Sequence, residues 1–101
     1  MIGRFDFLIL HLLSKEEMYG FQIIKKIAEN CTEVEFELKT GTLYPLLATM
    51  ENSGFLVSRK AWIHGREHKV YKTTVQGNEY LLQQKERWYK WESFTNKILD
   101  L

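Results

Sequence analysis

Three short helices, one small β-hairpin and a long last helix, together a mainly α domain, are what this sequence predicts, and three observations carry the prediction. Apolar residues recur at spacings of three and four as far as Met50; the period falls to about two after Gly54; and the helical period returns from Val75 to Leu101. At 101 residues and 45% apolar composition the chain has material for one small core and too little for two.

The first helix is predicted over residues 2–14, where Ile2, Phe5, Leu8, Ile9, Leu12 and Leu13 form a broad apolar face and Arg4, Asp6 and His11 lie opposite. A second helix is predicted from Tyr19 to Glu29, with Phe21, Ile24, Ile27 and Ala28 inward and Lys25 and Lys26 outward. The acidic connector "ENCTEVEFEL" follows. In it Val34, Phe36 and Leu38 alternate with Glu33, Glu35 and Glu37, the pattern of a short edge strand.

The third helix lies in "TGTLYPLLATMENSG", where Leu43, Leu46, Leu47 and Met50 keep helical spacing around Pro45. Proline has no amide hydrogen and clashes inside an established helix, so the helix is predicted to begin just before it. With Thr42 as N-cap, Leu43, Tyr44 and Pro45 fill the first turn, whose amides have no intrahelical acceptor, and Gly54 is the stop. Thr40, Thr42, Tyr44 and Pro45 then gather where backbone amides and the positive end of the helix dipole are exposed, an arrangement that can meet a phosphate.

After Gly54, "FLVSRKAW" and "HKVYKTT" are β-rich runs separated by "IHGRE", which predicts a hairpin of unequal arms with Gly65 at the turn. The last helix starts at Val75, with Gly77 as a weak point near its beginning. Three helices followed directly by a two-stranded hairpin form a winged helix-turn-helix, here residues 1–74, and residues 75–101 are left as a C-terminal dimerisation helix. In that arrangement the third helix enters the major groove and the hairpin touches the backbone beside it.

Overall charge is nearly balanced, 14 basic against 13 acidic residues, so nucleic-acid affinity must come from local segregation. The hairpin supplies it: Arg59, Lys60, Arg66, Lys69 and Lys72 stand against one acid, Glu67. These cations beside a polar helix N-terminus are phosphate clamps in a DNA-binding protein and solvated edge charges in any other. The preceding three helices favour DNA. On the third helix the first turn holds the candidate contacts, Thr40, Thr42, Tyr44 and Pro45, with Thr49 and Asn52 farther along.

Leu81, Trp88, Trp91, Phe94 and Ile98 form an apolar stripe on the last helix that is too large to leave in water. Burial against the core or a second subunit explains it, and a dimer seam with spare room becomes a pocket for a planar aromatic effector. The same fold without DNA affinity is a protein-interaction module that docks a partner through this aromatic helix.

Other chemistry finds little support. His64 and His68 are four apart on a hairpin with no third ligand, which argues against a metal, and no cofactor motif is present. Cys31 and His11 lack an orienting third group or oxyanion motif, so no enzymatic activity is expected. One cysteine precludes an internal disulfide and fits the cytoplasm. The apolar run from Phe5 to Leu13 contains Asp6 and His11, lacks a cleavage site and is too short to span a bilayer, so no membrane association is expected.

The blocks "MYGFQIIKKI", "GTLYPLLATMENSGFL" and "GREHKVYKTTVQG" resemble, in order and spacing, the PadR-type transcriptional regulators of bacteria over about residues 5–80. The resemblance implies a homodimeric winged-helix repressor that binds an inverted-repeat operator in double-stranded DNA and leaves it when an effector binds. By that resemblance Tyr19 and Gly20 match the start of the second helix, and Thr42, Leu43, Tyr44 and Pro45 the entry to the recognition helix. Gly65, Arg66, Lys69 and Tyr71 match the wing, and Thr74 and Gly77 the junction with the last helix. Thr73 stands where the family usually has leucine, and His68 replaces a common basic residue. The single helix after the wing is similar to the small branch of the family, in which the last helices of two subunits pair and some members hold planar aromatic compounds; Trp88 falls where such members carry an aromatic residue.

Overall fold

The computed structural model describes residues 5–31 and 33–101 of the chain, so Ile2 and Arg4 of the predicted first helix lie outside the described residues. In chain order the elements are α1 (Phe5–Lys15), β1 (Met18–Tyr19), α2 (Gly20–Asn30), a single 3-10 turn (Val34–Phe36), α3 (Thr40–Asn52), β2 (Leu56–Ile63), β3 (Arg66–Thr73) and α4 (Val75–Leu99). The strands form one antiparallel sheet in the order β1-β3-β2. This is a winged helix-turn-helix with a long C-terminal helix, as the periodicities predict.

The core joins all of these elements except the 3-10 turn. Ile9, Leu10, Ile23, Leu43 and Leu47 are fully buried, and Leu13, Met18, Leu38, Met50, Leu56, Tyr71 and Leu81 close around them. Helical phase differs from the prediction in two places. On α1 the deepest residues are Ile9, Leu10 and Leu13, while Leu8 is exposed; on α2 Ile23 is buried, whereas Phe21 and Ala28 face outward and Ile24 and Ile27 are half-buried. Several apolar residues compete for a short helix's inner face, and contact with α3 and the sheet decides the rotation.

The connector is not an edge strand. Val34 to Phe36 make a 3-10 turn closed by bonds from the Phe36 and Glu37 amides to the Glu33 and Val34 carbonyls, and of the three alternating apolar residues only Leu38 reaches the core. The strand the pattern misses is β1, whose two residues pair Met18 with Tyr71 and Tyr19 with Val70. Two residues are too few to show a period.

Helix α3 begins earlier than the proline rule predicts. The Lys39 carbonyl accepts from the Thr42 and Leu43 amides at 3.0 and 2.9 Å, so Lys39 is the N-cap, Thr42 lies in the first turn and Pro45 sits within the helix. The bond Pro45 cannot make is the one to Gly41, an exposed residue whose carbonyl water can reach. The stop at Gly54 is as predicted: with φ of 82°, its amide bonds Glu51 and the next amide, of Phe55, returns to Met50, a Schellman closure.

The hairpin arms are equal, eight residues each, and meet at a two-residue turn in which His64 and Gly65 have φ of 51° and 75°. Paired positive φ values are those of a type I′ turn, whose twist matches the strands. Gly77 is no weak point. A Cβ there would stand 2.1 Å from the Phe55 carbonyl oxygen, so glycine is what lets α4 lie against the start of β2. Thr74 caps the helix, its hydroxyl accepting from the Gly77 amide at 2.9 Å and donating to the Gly54 carbonyl at 2.6 Å. Thr73 contributes at the same junction, donating to Asn78 Oδ1 at 2.8 Å.

Candidate functional site

The outward face of α3 consists of small and polar groups. Leu43, Leu47 and Met50 turn inward, leaving Thr40, Gly41, Thr42, Pro45, Ala48, Thr49 and Asn52 exposed. Apart from Tyr44, no long or charged side chain of α3 stands on this face, so another surface can approach the helix closely. Thr49 is partly engaged, its hydroxyl donating to the Pro45 carbonyl at 3.0 Å. Tyr44 is half exposed and packs over Gly20 at the start of α2, where a Cβ would lie 2.6 Å from its hydroxyl oxygen. The glycine therefore lets α2 and α3 cross closely, and Tyr44 acts as a strut between them.

The Glu51 carboxylate, which no local sequence pattern marks, joins α3 to the wing. Ser58 donates to Glu51 Oε2 at 2.5 Å and Lys69 to Oε1 at 3.1 Å; these bonds, from Ser58 and then Lys69, hold the Glu51 carboxyl below the usual carboxylate range. Lys69 is raised in turn, chiefly by its bond to Glu51. The link is partly exposed and screened by solvent, so it adds little to stability. Its value is geometric, because it fixes the wing against the end of the helix.

Strand register divides the wing's cations between two faces. Cross-strand partners share a face, so the pairs Leu56/Thr73, Ser58/Tyr71, Lys60/Lys69 and Trp62/Glu67 make up the face that packs on the core and on Glu51. Val57/Lys72, Arg59/Val70, Ala61/His68 and Ile63/Arg66 make up the other. Of the four predicted contacts, Lys60 and Lys69 therefore lie on the α3 side and Arg59 and Arg66 on the outer side.

Arg59 is committed within the chain, in an ion pair with Glu17 that raises the arginine and lowers the acid, first through the hydrogen bond between them. Lys60 stands 3.8 Å from Glu67 in a loose exposed pair. Arg66, beside the turn, has no ion-pair partner among the described residues. His68 points to the outer face and stacks on Tyr19 with ring centroids 4.2 Å apart, away from the tip and from His64. No three potential metal-ligating side chains gather among the described residues.

The second candidate region is a groove of about 980 Å³ between α1 and α4. Phe7, Tyr80, Trp88, Trp91 and Phe94 form its apolar wall, with Asp6, Arg87 and Lys90 at its edges. Trp88 faces Phe7 at 6.5 Å and Trp91 faces Phe94 at 5.8 Å, both tilted. Three of the five predicted seam residues thus meet in one groove. Ile98 lies beyond it, exposed, and Leu81 belongs to the chain's own core at 4% exposure. Phe7 was absent from the predicted set because nothing local tells which helix face α4 covers.

Close by, His11 is held below its ordinary value by burial first, then by Lys85 and Lys15, and its Nδ1 has no hydrogen-bond partner among the described residues. No described helix is long and apolar enough to cross a membrane.

Comparison with known proteins agrees with this architecture. The sequence profile of the transcriptional regulator PadR-like family matches residues 9–83. A PadR family transcription regulator from Clostridium difficile superposes with a TM-score of 0.85 at 30% identity, covering 96% of this chain and 99% of its own. A transcriptional regulator from Mycobacterium tuberculosis is 31% identical over 75 residues, 74% of this chain and 66% of the relative. PadR from Bacillus subtilis, whose crystal structure is in complex with operator DNA, superposes with a TM-score of 0.72 at 27% identity, over 80% of this chain and 46% of its own. Family match and fold coincide over the helices and the wing, and the chain belongs to the PadR-like family of transcriptional regulators, which are not enzymes.

Proposed function

We propose that the protein is a cytoplasmic, homodimeric repressor that reads a pseudo-palindromic operator with α3 and is released by a planar aromatic effector. The observation that carries the DNA reading is the small, polar face of α3 beside a basic wing locked to its end by Glu51. Thr40, Thr42 and the edge of Tyr44 meet the major groove, and Pro45, with no amide to satisfy, shapes the approach. Lys60 and Lys69 grip phosphate on the α3 side and Arg66 does so from the tip. Arg59, held by Glu17, adds to the positive field without leaving its partner. The operator complex of the Bacillus subtilis relative supports this assignment.

The outer part of α4 supports the dimer. Trp88, Trp91, Phe94 and Ile98 are 49%, 61%, 55% and 67% exposed, and a second subunit laid along them removes that surface from water. Residues 1–74 then bind DNA and residues 75–101 dimerise, a division of labour and not of cores, since α4 begins inside the shared core. Covering the α1–α4 groove turns it into a chamber walled by aromatic rings, suited to a flat ligand. An effector there releases DNA if it binds the DNA-free spacing of the two subunits more tightly.

Titration against the DNA upstream of its own gene, with Arg66→Ala and Trp88→Ala alongside, tests the reading. Salt-dependent binding weakened in Arg66→Ala while the dimer persists is the expected result. If the wild type binds no duplex, from that region or from a random library, the chain is an interaction module and not a repressor.

A further inference from the structure

Trp62 is the most exposed aromatic among the described residues. It is 73% exposed, next to last in β2, and no ring contact is made to it among the described residues, whereas Trp88 and Trp91 each have a ring neighbour in the α1–α4 groove. Strand β2 is an edge of the sheet. A bare indole there promotes edge-to-edge association, and a charged or β-branched residue would fill the position with less apolar exposure. The surface around it indicates what covers it.

Trp62 shares its sheet face with the Lys60/Lys69 pair, and that face is the one joined to α3 through Ser58, Lys69 and Glu51. Arg66 follows at the turn. Glu67, directly across from Trp62, and Glu51, at the α3 side of this face, repel a polyanion, and their pairs with Lys60 and Lys69 temper them. The indole is thus flanked by cations on the side facing the reading helix.

We propose that Trp62 is the anchor by which the wing tip engages the minor groove of duplex DNA, its ring wedged against base and sugar edges while Lys60, Lys69 and Arg66 hold the flanking phosphates. Apolar side chains act in this way at flexible base steps, where partial unstacking is least costly. The proposal rests on the DNA-binding reading above. It adds sequence preference at a position that the α3 contacts do not reach.

A wedge and a phosphate clamp differ in salt dependence, because only the clamp releases counterions. The test is to select a duplex from a random library with the wild-type protein and measure affinity against salt for wild type, Trp62→Ala, Trp62→Phe and Arg66→Ala. Trp62→Ala is expected to lose affinity by about tenfold or more with an unchanged salt slope. Trp62→Phe is expected to keep most of the affinity, and Arg66→Ala to lower the slope by about one phosphate contact. If Trp62→Ala binds as wild type, or loses affinity with the slope change seen in Arg66→Ala, the wedge is wrong and the DNA reading stands. If the wild type selects no duplex, the DNA reading fails and the wedge with it.

Discussion

The two ends of α4 are one continuous helix with opposite environments. Near its start, Gly77 and Leu81 are buried, Thr74 caps the helix and Tyr80 stacks on Phe55 at 4.4 Å. From Trp88 to Leu99 no residue is buried, although the apolar side chains there are larger. Periodicity is the same in both parts. The difference is what lies beneath them among the described residues: the wing and α1 under the first, the start of α1 under the second. A single helix thereby completes the core at one end and leaves an aromatic surface exposed at the other.

Mutations should separate the two ends sharply. Gly77→Ala forces a methyl group to within 2.1 Å of the Phe55 carbonyl oxygen, so α4 must move off the wing. Leu81→Ala empties a core position and is expected to cost about 2–5 kcal/mol. Against a total stability of about 5–15 kcal/mol, either change should lower the denaturant midpoint steeply, with Gly77→Ala the more severe. Should both variants unfold like wild type, the inner end of α4 is not part of the core.

Trp91→Ala, at the outer end, should act on assembly. Truncating a central interface aromatic costs about 2 kcal/mol or more of association, a weakening of at least about thirtyfold in dimer affinity. Sedimentation should show a shift toward monomer, with secondary structure retained. Loss of the fold with no change in assembly would place Trp91 in the subunit's own core.

Acid should loosen both ends of the molecule by small steps. Glu51 and Glu17 titrate below their ordinary 4.5, so each binds its proton more readily unfolded. Their contribution is complete above about pH 4.5 and disappears as pH falls through the folded values. His11, lowered below 6.5 by burial and by Lys85 and Lys15, has the same sign and acts earlier: full above about pH 6.5, declining as pH falls through its folded value. Stability measured from pH 7 to 4 should fall, and His11→Gln should flatten the upper part of that fall.

The smallest effect belongs to the wing tether. Ser58→Ala removes one bond to Glu51 and is expected to cost about 0.5–1 kcal/mol, while relaxing the wing relative to α3. Hydrogen exchange at β2 should report the relaxation, and unchanged protection there would show that Lys69 alone holds the wing.

What was legible in the sequence follows from the range of the forces involved. The order of the helices and the wing hairpin, the Gly54 stop and Gly65 at the hairpin turn depend on neighbours a few residues apart and are readable in the sequence, unlike β1 and the 3-10 turn. The start of α3 was not, because Pro45 is accommodated by an exposed Gly41 and a helix launched from Lys39. Leu81 and Trp88 look alike along a helical stripe, yet one is core and the other surface. The Glu51 tether joins residues 7 and 18 positions apart, and the split of the wing's cations depends on strand register. Neither leaves a local trace, so the sequence groups the wing cations as one set and does not show their division into two faces.

The most direct test of the account is the mass of the protein–DNA complex on a library-selected duplex, measured at two salt concentrations. Two chains per duplex, with affinity falling steeply as salt rises, is the predicted result. One chain per duplex, or binding indifferent to salt, would contradict a dimer that reads DNA through α3 and a basic wing.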